Sequence, residues 1–115
     1  MDHSDVRTLA LSLPESVESP HFDMTSFRVG GKIFATMPSD GAHLHVFVDE
    51  GEVRAAVAED PGVFEELLWG KRLSGVRVRL GPADHDRVRE LLEESWRRKA
   101  PKHVVAAFDD RPRPG

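Results

Sequence analysis

Six histidines and no cysteine leave imidazole as the side chain best suited to metal or proton chemistry here. His43 and His45 stand two apart in an alternating run, His43-Leu44-His45-Val46-Phe47-Val48, so on a strand both rings emerge on one face. Metal sites use that spacing, with His21 and Asp23 as further donors if their strand lies near. No third ligand stands at a diagnostic interval, however, and the bland reading is a pair of solvent-facing histidines. Ser26 with His21 and Asp23 supplies the residue types of a nucleophile, a base and an orienter. Nothing marks Ser26 as strained or exposed, and the chain lacks a Gly-x-Ser-x-Gly elbow, a P-loop and a Gly-x-Gly-x-x-Gly turn. The expectation is therefore a non-enzyme, with no catalytic residue, no metal ligand set and no cofactor.

A second set of residues is basic. Lys71 and Arg72 follow Gly70 at a turn, and Arg77 and Arg79 alternate along Val76-Arg77-Val78-Arg79-Leu80, which puts both guanidinium groups on one strand face. Arg28 and Lys32 flank Gly30-Gly31. Cations at a turn tip resemble the wing of a winged nucleic-acid binder; two or three of them on phosphates give weak, salt-sensitive, sequence-independent affinity. No helix-turn-helix precedes them, and no exposed helix carries a base-reading group of Asn, Gln and Arg. Trp69, beside these cations, is open to base stacking or to packing, whereas Trp96 lies on the apolar stripe of a helix and reads as core.

Charge distribution sharpens this more than net charge does. The total is −4, on the wrong side of zero for a constitutive nucleic-acid binder. Residues 1–70 hold four Lys/Arg against thirteen Asp/Glu, and residues 71–115 hold twelve against seven, an asymmetry that suits either a polyanion-facing side or self-complementary packing.

The elements that position these residues follow from pattern. At 115 residues, 39% hydrophobic and 31% charged, the chain reads as one domain that buries roughly two-thirds of its unfolded surface. No apolar run approaches the roughly 20 residues of a membrane-spanning helix, so no membrane partner is expected. Met1-Asp2-His3-Ser4-Asp5 lacks the basic and apolar regions of a signal peptide, which makes the cytoplasm the expected compartment.

Ser4 is a candidate N-cap for a helix carrying Val6, Leu9, Ala10 and Leu13, stopped by Pro14. Residues 15–23 read as a connector and a short edge strand. Gly30-Gly31 then makes a two-residue hairpin loop, placing Val29 opposite Lys32, Arg28 opposite Ile33 and Phe27 opposite Phe34. Pro38-Ser39-Asp40-Gly41 is a second turn, and Asp49 with Glu52 opens a helix that Asp60-Pro61-Gly62 breaks. A strand over Leu67–Trp69 and a cleaner one over Val76–Leu80 precede the strongest helix. Asp84 caps it, Val88, Leu91, Leu92, Ser95 and Trp96 face inward, and Glu93–Arg97 and Glu94–Arg98 pair along its surface. Val104–Phe108 adds an apolar turn. The domain is expected over residues 1–108, with a disordered tail over 109–115. The order helix, three or four strands, helix, two strands, helix predicts an α+β fold, an antiparallel sheet covered by helices.

Several of these stretches together resemble the MmcQ/YjbR family of small bacterial proteins. They are Leu9-Ala10-Leu11-Ser12-Leu13-Pro14, Pro20-His21-Phe22, Ser26 to Ala35, Trp69-Gly70, Ser95-Trp96-Arg97 and Ala100-Pro101-Lys102. The resemblance implies an α+β fold of the kind secretion chaperones also show. It implies double-stranded DNA as a partner, held by a pair of wings, with Arg28 and Lys32 on one wing and Lys71 and Arg72 on the other. The alternative is a chaperone-like protein-interaction module without nucleic-acid binding.

Overall fold

The computed structural model describes residues 1–111. Helix α1 (His3–Leu11) starts two residues earlier than the Ser4 reading has it. Asp2 is the N-cap: its carboxylate accepts from Asp5 N while Asp5 accepts from Asp2 N, each at 3.0 Å, a reciprocal box that Ser4, already inside the first turn, cannot make. Val6, Leu9, Ala10 and Leu13 are buried as their spacing demands.

Six strands form one antiparallel sheet in the order β1-β2-β3-β4-β6-β5: β1 (Val17–His21), β2 (Met24–Val29), β3 (Lys32–Met37), β4 (His43–Val46), β5 (Phe64–Trp69) and β6 (Arg72–Arg79). Four strands precede α2 (Glu50–Glu59), the larger of the two counts the pattern allows. The edge strand expected within residues 15–23 is β1, which pairs with β2 along its whole length; Pro20 is tolerated there because it sits on a free edge, where no ladder hydrogen bond is lost. Gly30 and Gly31 both take positive φ, as a tight hairpin requires, and Val29 pairs with Lys32 and Arg28 with Ile33.

Beyond that the register departs from simple alternation: Phe27 lies opposite Ala35, not Phe34. Phe34 is the extra residue of a β-bulge, so Phe34 and Ala35 are both buried, while Ile33 and Thr36 turn to the other face. A second bulge, at Ser74, interrupts the β5–β6 pairing.

All the helices gather on one side. Helix α2 is capped by Asp49, which accepts from Glu52 N, and buries Val53 and Ala56. Helix α3 (His85–Lys99), capped by Asp84, carries Val88, Leu91, Leu92, Ser95 and Trp96 into the core over β3 and β4. Along its outer surface Arg97 keeps Glu93 at 3.5 Å, but Arg98 turns away from Glu94 and donates to the Phe47 carbonyl at 3.0 Å.

The expected apolar turn is a full helix, α4 (Lys102–Asp110), so Asp109 and Asp110 belong to the fold and not to a tail. Phe108 holds it, with its ring 5.0 Å from that of Trp96, and Arg97 reaches across to Asp109 at 2.7 Å. Residues 112–115 of the expected tail lie outside the described residues.

Candidate functional site

With every helix on one side, the other face of the sheet is open. Register alone sets one polar row across all six strands of that face: Ser19, Ser26, Thr36, His45, Arg77 and Glu65, each opposite the next. The row is internally bonded. Ser26 Oγ donates to the Ser19 carbonyl at 2.8 Å and accepts from Arg28 Nε at 3.1 Å. Thr36 Oγ1 lies 3.4 Å from His45 Nδ1. Arg77 Nε faces Glu65 Oε1 at 3.3 Å in an ion pair without hydrogen-bond alignment.

His45 stands at the centre. It is half-buried, and that burial, reinforced by the positive charge of Arg77, pushes its pKa below the ordinary histidine value of 6.5. Its second ring nitrogen, Nε2, is buried and has no partner among the described residues.

Beside this row lies a cleft of about 300 Å³. The sheet curls enough for both edge strands to reach it, β1 through His21 and β5 through Leu67, Leu68 and Trp69, with Ile33, Thr36, His45 and Phe47 between them. No Asp, Glu, Lys or Arg lines it. His21 and His45 thus share a cleft, while His43, on the same strand face as His45, is held by Asp40 at 2.7 Å. Asp40 accepts from that ring and from the Ala42 and His43 amides, and the backbone bond to Ala42 is foremost in lowering its pKa to about 2. Among the described residues no three of His, Cys, Asp and Glu stand close enough to hold a metal. Ser26 is fully buried and bonded to Ser19 and Arg28, so it is not presented as a nucleophile.

The basic residues divide into two groups. Arg28, Arg77 and Arg79 are engaged on the open face. Arg28 binds Ser26, Arg77 is held between Glu65 and Asp40, and Arg79 donates to the Gly62 carbonyl at 3.2 Å. Lys32, Lys71 and Arg72 have no hydrogen bond or ion pair among the described residues.

Register also puts both glycine turns at one end of the sheet, since β3 toward Gly31 and β6 toward Lys71 both run alongside β4 toward Phe47. Two strand spacings, roughly 10 Å, separate their nearest strands, β3 and β6. The C-terminal end of α3 arrives at the same place. A wider, polar cleft of about 480 Å³ there joins Trp69, Arg72, Arg98 and Lys99 to Asp49 and Glu50. Trp96 is fully buried with its indole N–H on the Pro14 carbonyl at 3.0 Å, a core residue, whereas Trp69 is 82% exposed.

Sequence reasoning missed the carboxylates that hold Arg77 and the apolar walls supplied by Met24 and Ile33. The signal was present in the alternation, but it becomes readable only once His45 is known to pair with Arg77 and the bulge at Phe34 is known to turn Thr36, not Ala35, to the same face as Ile33.

Six antiparallel strands with helices on one face and two glycine hairpins at one end define an α+β domain of the YjbR type. The YjbR family model matches residues 11–98, and the chain belongs to that family. It is similar to uncharacterised proteins of Mycobacterium tuberculosis and Mycobacterium bovis, 31% identical over 123 residues that span 90% of this chain and 92% of theirs. The crystal structure of Deinococcus radiodurans protein DR2400, a DUF419 domain, shares the fold with a TM-score of 0.74 at 20% identity, covering 92% of this chain and 86% of that one.

Proposed function

We propose that this chain is a cytoplasmic, non-enzymatic domain that binds double-stranded DNA weakly through phosphates, using Lys32, Lys71 and Arg72 at the two-turn end of the sheet, with Lys99 behind them. The observation that carries this reading is the pairing of two cation-bearing hairpin tips at one sheet end with their charges uncommitted. Arg28, Arg77 and Arg79 are left out of the contact set because their guanidinium groups are already engaged by neighbours on the open face. Asp49 and Glu50 in the adjoining cleft, together with a net charge of −4, hold the affinity down.

Fluorescence-anisotropy titration of labelled duplex DNA at two salt concentrations tests it. Three or four phosphate contacts give a log–log salt slope of about −3. Reversing Lys71 and Arg72 to Glu abolishes binding, while Arg79→Ala leaves it within about twofold. No binding at low salt, or binding indifferent to the Lys71 and Arg72 reversal, overturns the reading.

Exposed apolar side chains favour a second reading, a protein-interaction module. Phe22 is 91% exposed at the β1–β2 turn, and Leu68 and Trp69 are exposed at the β5–β6 turn, so both edge hairpins offer hydrophobic contact. A stable dimer in sedimentation, lost on Trp69→Ser, supports it; a monomer at all concentrations removes its self-associating form.

A further inference from the structure

The open-face cleft adjoins the basic end, sharing Phe47, Trp69 and Ser74 with the polar cleft there, but it carries no cation to hold a phosphate. We propose that it is a small-molecule site that takes a planar, uncharged heteroaromatic compound about two fused rings in size, hydrogen-bonded to His45 Nε2.

Size follows from volume. An apolar cavity of about 150 Å³ accommodates one benzene ring, and this cleft is about 300 Å³, at the lower bound of ordinary ligand sites. Planarity follows from the walls: His21, His45, Phe47 and Trp69 present aromatic rings, with Ile33 and Leu67 as aliphatic surface. Absence of charge follows from the lining, where no Asp, Glu, Lys or Arg compensates an ion taken out of water.

The heteroatom follows from His45. Its Nδ1 faces Thr36 Oγ1 and its Nε2 is buried without a partner. Buried polar atoms are nearly always bonded; the His45 ring lines the cleft while Nε2 itself lies just beneath the surface, so a small turn of the ring brings this orphaned atom to a ligand. The two tautomers differ only in sense. When the Thr36 hydroxyl donates to Nδ1, Nε2 carries the proton and seeks an acceptor; when Nδ1–H donates to Thr36, Nε2 accepts.

Three probes of similar size separate these terms: naphthalene, which has no polar group, quinoline, which accepts, and indole, which donates. Each is titrated into isotopically labelled protein and followed by NMR at His45, Trp69 and Leu67. The expected result is saturable binding with shifts confined to the cleft, and either quinoline or indole about tenfold tighter than naphthalene. His45→Phe is expected to erase that preference while leaving the naphthalene affinity within about twofold. The proposal is overturned if no probe saturates, if the three bind equally to the unaltered protein, or if the shifts fall elsewhere. The comparison on the unaltered chain decides the matter even if the variant fails to fold. Its failure leaves the DNA titration untouched, since that depends on Lys32, Lys71 and Arg72, none of which lines this cleft.

Discussion

Gly75 lies directly against Val46: a Cβ placed on Gly75 would stand 2.2 Å from the Val46 carbonyl oxygen and 3.0 Å from Phe47 Cα. Both obstructions are backbone, so no side-chain rotation relieves them. Gly75→Ala is expected to destabilise the fold by about 3 kcal/mol, the upper part of the range for overpacking a filled interior, and to loosen the β4–β6 seam on which His45 and Arg77 meet. Urea denaturation measures the first effect and amide exchange at Val76 and Val46 the second. A variant as stable as the parent would mean that the two strands can part without cost.

Acid sensitivity should begin with His45. Its folded pKa lies below 6.5, the unfolded value, so between those limits the unfolded chain binds more protons than the folded one. Stability therefore rises with pH across that window and falls as pH drops below about 6.5. Asp40 acts later and by the opposite chemistry. Its pKa of about 2 against 3.8 gives stability that is present above about pH 4 and lost as pH approaches 2. Urea midpoints at pH 7.5 and pH 5 should differ for the parent and differ less for His45→Leu; an equal loss in both would place the acid-sensitive group elsewhere.

Most of the fold was legible because helices and hairpins report themselves locally. The inward residues of α3, the Asp49 and Asp84 caps and the Gly30-Gly31 turn all rest on contacts within a few residues of sequence. The departures arise from information that is not local. Phe34 and Ala35 face inward together because a bulge resets the alternation, and nothing in Lys32–Met37 announces it. Helix α4 forms because Phe108 finds Trp96 and Arg97 finds Asp109, contacts made across the turn at Pro101. The candidate site behaves likewise. His45 was legible as a candidate, but its burial beside Arg77 depends on a strand pairing 32 positions away in the chain.

Phe22 holds a conformation that L-residues avoid, with φ +57°, while its ring is 91% exposed and touches only the edge of His21 among the aromatic rings. A bulky residue in the left-handed region costs about 1 kcal/mol or more, and an exposed ring returns little of it. Phe22→Asn, which tolerates that region through local hydrogen bonding, should raise stability by about 0.5–1 kcal/mol in denaturant unfolding. If the same substitution weakens a partner contact in the sedimentation experiment, the strain is kept for the sake of that exposed ring. If stability falls, the His21–Phe22 contact is worth more than the strain it sits on.

The two tryptophans should respond oppositely to substitution, because one supports the fold and the other only its surface. Trp96 is fully buried, packs on Phe108, and gives its indole proton to the Pro14 carbonyl. Trp96→Phe removes that donor, leaves the carbonyl unpaired and opens space beside α4, and is expected to cost about 2–3 kcal/mol. Trp69→Ala, at a site 82% exposed, should stay within about 0.5 kcal/mol of the parent. Fluorescence distinguishes them without any unfolding: acrylamide should quench the emission of Trp96→Phe, which retains Trp69, far more strongly than that of Trp69→Ala. Equal quenching of the two variants would mean that Trp69 is covered in solution. The covering surface would then have to come from a second copy of the chain, which makes the quenching experiment a direct check on the protein-interaction reading.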